Sequence, residues 1–359
     1  MSFLNKKIIN LEPTFFGIDI SDSYVKIFQL ERDDGKDKIR SFACAKIKKG
    51  SIENGKIIEK EEVVLSIQEA LKKAGPKKIN TKKVVCSLPE SKVFLRIINI
   101  PKIEVSEAQE AVKWEMEANI PLPIDSVYFD WQFIDGEVKN KQKVLTVAIH
   151  KEVVDILSEI LDNAGLEPYV FEVESIATAR SLILENDSEE SLNLIVDLGK
   201  TKTSFIVVEN GVPCFTSSIP FSSEVINDAI SRGLNINEMQ TEKIKNDYGI
   251  ENPLKDNPIL NSVKSVLENL AKELENTADF YLNSLPKTKS IDRVILSGTG
   301  ATLKGIIPYL TKRLRRDVEM GDPWINLELG NNLPIINRDD SVKFSTAIGL
   351  ALRGFYYED

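Results

Sequence analysis

A strand, a turn carrying a carboxylate and a second strand occur twice in this chain, near its start and again past its midpoint. The first copy is Phe16-Gly17-Ile18-Asp19-Ile20-Ser21-Asp22-Ser23-Tyr24-Val25-Lys26, and the second is Ile195-Val196-Asp197-Leu198-Gly199-Lys200-Thr201-Lys202-Thr203. In each, an apolar run reads as a buried strand, and the residues after its Asp offer backbone N–H groups to an anion. A third strand follows each copy, at Arg40 to Lys48 and at Pro213 to Ile219. One such turn is commonplace, because Asp-x-Gly is frequent in hairpins. The pair is more demanding: it predicts two related α/β halves that face each other and clamp one triphosphate from both sides. A carboxylate beside phosphate repels it unless a cation intervenes, so Asp19 and Asp197 are the expected Mg²⁺ partners, through water.

The rest of the pattern fits between these copies. A helix is expected from Glu59 to Ala74, stopped by Gly75-Pro76, and a strand from Lys83 to Leu88. Residues 84–168 then read as an inserted α+β module. It has strands at Val93 to Ile100, Tyr128 to Ile134 and Lys143 to Ile149, a polar loop at Asp135 to Gln142, and helices from Ser106 and from Lys151 to Ala164. The expected division is residues 1–83 and 169–190 for the first domain and 191–359 for the second, with a helical subdomain around 232–289. The polar run 185–190 reads as the linker. A third glycine-rich turn, Ser297-Gly298-Thr299-Gly300, follows a buried strand and precedes a helix expected from Leu303 to Arg315. There, backbone and a helix N-terminus can lie close to a nucleotide. Gly199-Lys200-Thr201 is not a P-loop, since Leu194 stands where its first glycine belongs, and Leu303 spoils a dinucleotide fingerprint at the third turn.

Charge and composition narrow the function. A net charge of −9 disfavours a broad nucleic-acid surface. Three scattered cysteines and one histidine, His150, argue against disulfide frameworks, structural zinc and most His-based triads. No apolar run of about 18 residues is present to span a bilayer, and the first residues do not read as a secretory signal. A cytoplasmic protein with no direct membrane span is expected.

The order of the Asp19 turn, the Asp197-Leu198-Gly199 turn and the Gly298 turn resembles the two phosphate loops and the adenosine loop of actin-like ATPases. Glu174-Ser175-Ile176-Ala177-Thr178-Ala179 and Ser345-Thr346-Ala347-Ile348-Gly349-Leu350-Ala351 resemble their two connecting helices, with small residues where the helices would cross. Within that superfamily, Trp114-Glu115-Met116-Glu117-Ala118-Asn119-Ile120-Pro121-Leu122-Pro123 and Tyr128-Phe129-Asp130-Trp131 look like the PilM family of type IV pilus assembly proteins. The closing Ala347 to Gly354 fits as well, and the cell-division actin homologues of the FtsA family are cousins.

The resemblance implies an actin-like (ribonuclease H-like) two-domain ATPase fold with an inserted α+β subdomain, and ATP with Mg²⁺ as cofactors. It makes Ser21, Asp22, Ser23, Tyr24 and Lys26, with Gly199, Lys200, Thr201, Lys202 and Thr203, the phosphate-side contacts. Glu242 and Lys245 would contact ribose and adenine, Gly298, Thr299, Gly300 and Lys304 the nucleoside, and Glu174 would orient water for hydrolysis. Ser21 departs from the glycine usual in the family, and its Cβ narrows the approach, so hydrolysis is expected to be slow or absent.

The same resemblance implies a role as a scaffold, cytoplasmic and peripheral to the inner membrane through partner proteins. Its partner would be the cytoplasmic N-terminal tail of PilN, held in a groove near Val84 to Leu88, Val93 to Ile97 and the Trp114 helix. Other pilus platform proteins would join it, with room for a homo-oligomer. Ile9-Asn10-Leu11-Glu12-Pro13 resembles the partner tail and is a candidate self-ligand. Two readings compete. An FtsA-like division protein would carry an amphipathic membrane helix after its second domain, which is not expected past Gly354. A small-molecule kinase of the sugar-kinase branch would need a general-base Asp that the first domain does not visibly supply.

Overall fold

Two sheets built to one plan carry the repeated turns. The computed structural model describes residues 14–33, 36–120, 122–138, 141–184, 191–251, 257–283, 289–329 and 336–356. The first part runs β1 (Phe16–Ile20), β2 (Tyr24–Asp33), β3 (Lys36–Lys46), a short hairpin of β4 (Ile52–Glu53) and β5 (Lys56–Ile57), α1 (Lys60–Lys73), β6 (Gly75–Pro76) and β7 (Lys83–Leu88). Then come β8 (Val93–Pro101), α2 (Val105–Asn119), β9 (Val127–Val138), β10 (Lys141–His150), α3 (Lys151–Asn163), β11 (Glu167–Val173) and α4 (Glu174–Leu182). The second half opens with β12 (Leu192–Leu198), β13 (Thr203–Glu209), β14 (Val212–Ile219), α5 (Ser223–Leu234), α6 (Glu238–Asp247) and α7 (Pro258–Leu282). It closes with β15 (Arg293–Ser297), α8 (Ile306–Leu314), β16 (Val318–Met320), α9 (Arg338–Ser341) and α10 (Ser345–Tyr356).

The first sheet has the order β11-β7-β1-β2-β3-β6 and the second β14-β13-β12-β15-β16. In both, three consecutive strands form an antiparallel meander, and a parallel strand lies beside its first member. Asp19 and Asp197 thus occupy matching positions near the ends of β1 and β12. Both strands are apolar because helices cover both faces, as in any buried sheet.

A third sheet, β8-β10-β9, is covered on one face by α2 through Ala108, Val112 and Met116. The structure places residues 84–88 and 151–168 outside this module. Strand β7 lies inside the first sheet between β1 and β11, with Val84, Val85 and Cys86 fully buried. Helix α3 packs Leu157, Ile160 and Leu161 into the same core as Val63 and Ile67 of α1. Most of the polar stretch expected as a loop at 135–142 is strand, since β9 and β10 extend to Val138 and Lys141. Helix α8 begins at Ile306 and not at Leu303, because Gly305 at φ 89° interrupts the turn before it. The linker residues 185–190 and the Ile9 to Pro13 segment lie outside the described residues.

The two halves meet where α4 crosses α10. An added Cβ on Gly349 would stand 1.7 Å from the Ala177 carbonyl oxygen. Thr178 and Thr346 share a buried hydrogen bond of 2.9 Å at the same crossing. On its other side α10 lies on β1, where a Cβ on Gly17 would meet the Ala347 oxygen at 2.4 Å. Gly349→Ala is expected to cost about 3 kcal/mol of stability or more, because neither backbone can yield cheaply. Urea denaturation beside the parent chain measures it, and a loss below about 1 kcal/mol would show that the helices part easily.

Candidate functional site

The repeated turns and the Gly298 turn converge on one cleft between the halves, lined by Asp19, Ser21, Asp22, Ser23, Tyr24, Lys26, Glu174, Asp197, Gly199, Lys200, Thr201, Lys202, Gly298 and Thr299. Its free space is about 60 Å³, room for a few waters. Contacts across the cleft account for this closure. Three consecutive residues of the second turn each reach the first half. The Lys200 ammonium stands 5.2 Å from the centre of the Tyr24 ring. The Thr201 hydroxyl donates to Asp22 at 3.3 Å, and Lys202 Nζ reaches Glu174 at 3.2 Å.

Each turn is shaped by its own residues. Ser21 spends its hydroxyl on the Tyr24 backbone, donating to the carbonyl at 3.0 Å and accepting from the N–H at 3.2 Å. The Asp22 carboxylate accepts backbone N–H groups of Asn54 and Gly55, at 3.1 and 3.0 Å. Those two residues form the β4–β5 turn, with φ of 50° and 72°, and their amides point to one anion. The strand count from sequence leaves this hairpin out, although Asn-Gly between Ile52 and Ile57 is its usual signal. Gly298, at φ 81°, passes so near the second turn that a Cβ would sit 2.5 Å from Asp197 Oδ1.

Lys26 lies opposite Asp19 across β1–β2, its Nζ 3.5 Å from the carboxylate. Burial works against its charge, but Asp19 and then Asp197 outweigh it and lift its pKa above the ordinary lysine value. Burial raises the Asp197 carboxyl, opposed by Lys26. Among the described residues, no group of three or more His, Cys, Asp or Glu stands ready to hold a metal. The Lys26 ammonium faces both carboxylates and offsets their charge.

Beside the cleft's Glu174 stands a residue that sequence reasoning missed. Glu90, buried after β7, accepts the Ser175 N–H at 3.3 Å, and its own N–H donates to Glu174 at 3.2 Å. Among the described residues, Glu90 Oε1 and Ser175 Oγ have no hydrogen-bond partner. Pro-Glu-Ser in a turn carries no pattern that announces this. The remaining expected residues stand elsewhere. Thr203 is fully buried, its hydroxyl on the Phe221 carbonyl at 2.9 Å. Gly300 packs on Leu198. Lys304 donates to the Asp247 carbonyl at 3.1 Å. Glu242 and Lys245 form a 2.9 Å pair on α6 that also engages Asn227.

A second concavity, of about 410 Å³, opens between the free face of the small sheet and the first half. Leu145, Val147, Ile149, Val154, Phe171 and Ile176 make it apolar. Strands β9 and β11 border it, and each is the edge of its sheet. Of the stretches expected at a partner groove, β7 reaches this concavity through Leu88, while β7 is otherwise interior, β8 lies on the far edge of the small sheet, and Trp114 is 70% exposed on α2. Glu172 anchors the groove end. Its carboxylate is paired with Arg353 and with Arg180, whose Nη2 reaches it at 2.6 Å and whose Nη1 donates to the Gly349 carbonyl at 3.0 Å.

Burial pushes the Glu174 carboxyl up to about 7, against the pull of Lys202. The native chain therefore binds a proton that the unfolded chain releases between pH 4.5 and about 7, so this group's stabilisation falls as pH rises through that window. Relative to Glu174→Gln, the parent chain is expected to lose up to about 3 kcal/mol across it. Urea midpoints at several pH values check this, and parallel curves for the two chains would refute it.

The profile of the family described as type IV pilus assembly protein PilM matches residues 17–355. A solved PilM-PilN type IV pilus biogenesis complex is similar at a TM-score of 0.79 and 26% identity, covering 96% of this chain and 99% of that chain. The ethanolamine utilization protein EutJ from Carboxydothermus hydrogenoformans shares the fold at a TM-score of 0.56 and 15% identity, over 95% of this chain and 89% of that chain. The cell division protein FtsA of Bacillus subtilis (strain 168) is a distant relative, 22% identical in an alignment that covers 88% of this chain and 80% of that protein. The mixed α/β architecture is that of the actin-like proteins. No helix among the described residues is long and apolar enough to cross a membrane. A profile match over nearly the full length, joined to a near-complete superposition, places this chain in the type IV pilus assembly protein PilM family.

Proposed function

We propose that this chain is a nucleotide-binding scaffold of the type IV pilus platform that captures the cytoplasmic N-terminal tail of PilN in the groove between β9 and β11. The observation that carries the reading is the groove itself, an apolar floor flanked by two sheet edges. An extended peptide there can pair its backbone with an edge while alternate side chains enter the floor. The similar solved structure is a complex with PilN, and the family is one of pilus assembly. Through such a tail the protein is held at the inner membrane on its cytoplasmic side.

The cleft takes ATP when the halves part. Lys200, Lys202 and Thr201 then exchange Tyr24, Glu174 and Asp22 for phosphate oxygens, and Ser23 and Gly199 supply backbone close to the phosphates. Asp19 and Asp197 would hold Mg²⁺ through water, and the ion when bound neutralises phosphate charge. Glu242 and Lys245 on α6 face the nucleoside side, with Gly298 allowing backbone to come near. Glu174 is the group placed to orient water. Turnover is slow or absent, because Ser21 stands where the family usually has glycine and its side chain narrows the approach to the phosphates.

Titration of a labelled PilN-tail peptide into the full chain, with and without Mg-ATP, tests the assignment by fluorescence anisotropy. Saturable binding lost on scrambling the tail is expected. Asp197→Ala is expected to weaken nucleotide binding by about tenfold or more while tail affinity without nucleotide is unchanged. Failure of the tail to bind, with nucleotide binding intact, would mean that the partner is wrongly named.

A further inference from the structure

We infer that the groove is longer than the segment assigned above and that the partner's tail continues from it onto the second half of the protein; this rests on the proposed PilN reading. The groove floor ends at Gln132 and Leu145, which face each other across β9 and β10. The same two residues open a second cavity, of about 310 Å³. On the opposite wall α4 advances in the same direction. Ile176 and Arg180 border both cavities, and Ile183 and Leu184, past the end of that helix, border the second. The two are therefore consecutive stretches of one trough.

The far wall of the second stretch is the β13–β14 turn, Asn210 to Pro213, which belongs to the second sheet. Its central residues Asn210 and Gly211 have φ of 54° and 78°, a tight two-residue turn that holds Val212 in place. Leu184 is 41% exposed beside this wall. Apolar Leu184 and Val212 share this stretch with the amides of Gln132 and Asn210, a mixture that suits an extended peptide with side chains and backbone to place. The first stretch spans five residues of β9, Tyr128 to Gln132, roughly 16 Å at ~3.3 Å per residue. A tail that fills both touches both halves, whereas one that fills the first touches neither strand nor turn of the second sheet.

Two labelled peptides of the PilN tail test this, one of about five residues, which fills the first stretch alone, and one of about ten, titrated into the full chain. The longer is expected to bind about tenfold more tightly or better. Leu184→Asp and Val212→Asp should each cut that gain below about twofold and leave the shorter peptide's affinity unchanged, which also certifies the fold. Equal affinities of the two peptides for the parent chain, or variants that weaken both alike, overturn the inference while leaving the groove assignment standing. Binding of neither peptide overturns both.

Discussion

The close crossing of α4 and α10 is the contact on which the other features depend. With backbone touching backbone at Gly349 and Ala177, the helices lie nearer than any side chain would permit, and this distance sets how the two sheets face each other. Small residues on both helices allow that approach, and the Thr178–Thr346 bond pairs the two threonine hydroxyls buried at the crossing. Because α10 also lies against Gly17 of β1, the crossing is tied to the strand that carries Asp19. A shift of one helix would move the cleft's first carboxylate with it.

Helix α4 then serves two sites. Its first residue, Glu174, faces the cleft, while Ile176 and Arg180 line the groove. Glu172, two residues before it and itself buried, joins β11 to α4 and α10 through two partly buried guanidinium groups. Such a buried cluster adds little net stability compared with an apolar substitute, but breaking it by removing one partner is costly. Here it ties the edge strand β11 to both crossing helices.

Electrostatics explain why the cleft is closed. Asp19, Asp197, Glu174 and Glu90 stand close together, and Lys26 and Lys202 are the cations that offset them. Lys202 loses charge stability through burial and regains it chiefly from Glu174. That pairing spans the two halves and ties the second turn to the first residue of α4. An anionic ligand competes for the same lysines, which makes opening and binding parts of one exchange.

How much of this was legible in the sequence follows from the range of the interactions concerned. Apolar runs ending at Asp19 and Asp197, and small residues at Ala177 and Gly349, reflect local rules: strand burial, turn chemistry and the space at a helix crossing. They were sufficient for the two-half architecture, the converging turns and the crossing itself. The Asn54–Gly55 hairpin was also legible, since its signal is two residues long. Glu90 was not, because what makes it notable is Ser175, brought close by the parallel pairing of β7 with β11. Nor was the groove, or the place of β7 inside the first sheet. Periodicity tells which way a residue faces along its strand but not which strand lies beside it, and an edge is defined by the neighbour it lacks. That decision belongs to long-range pairing, and only the tertiary structure made it.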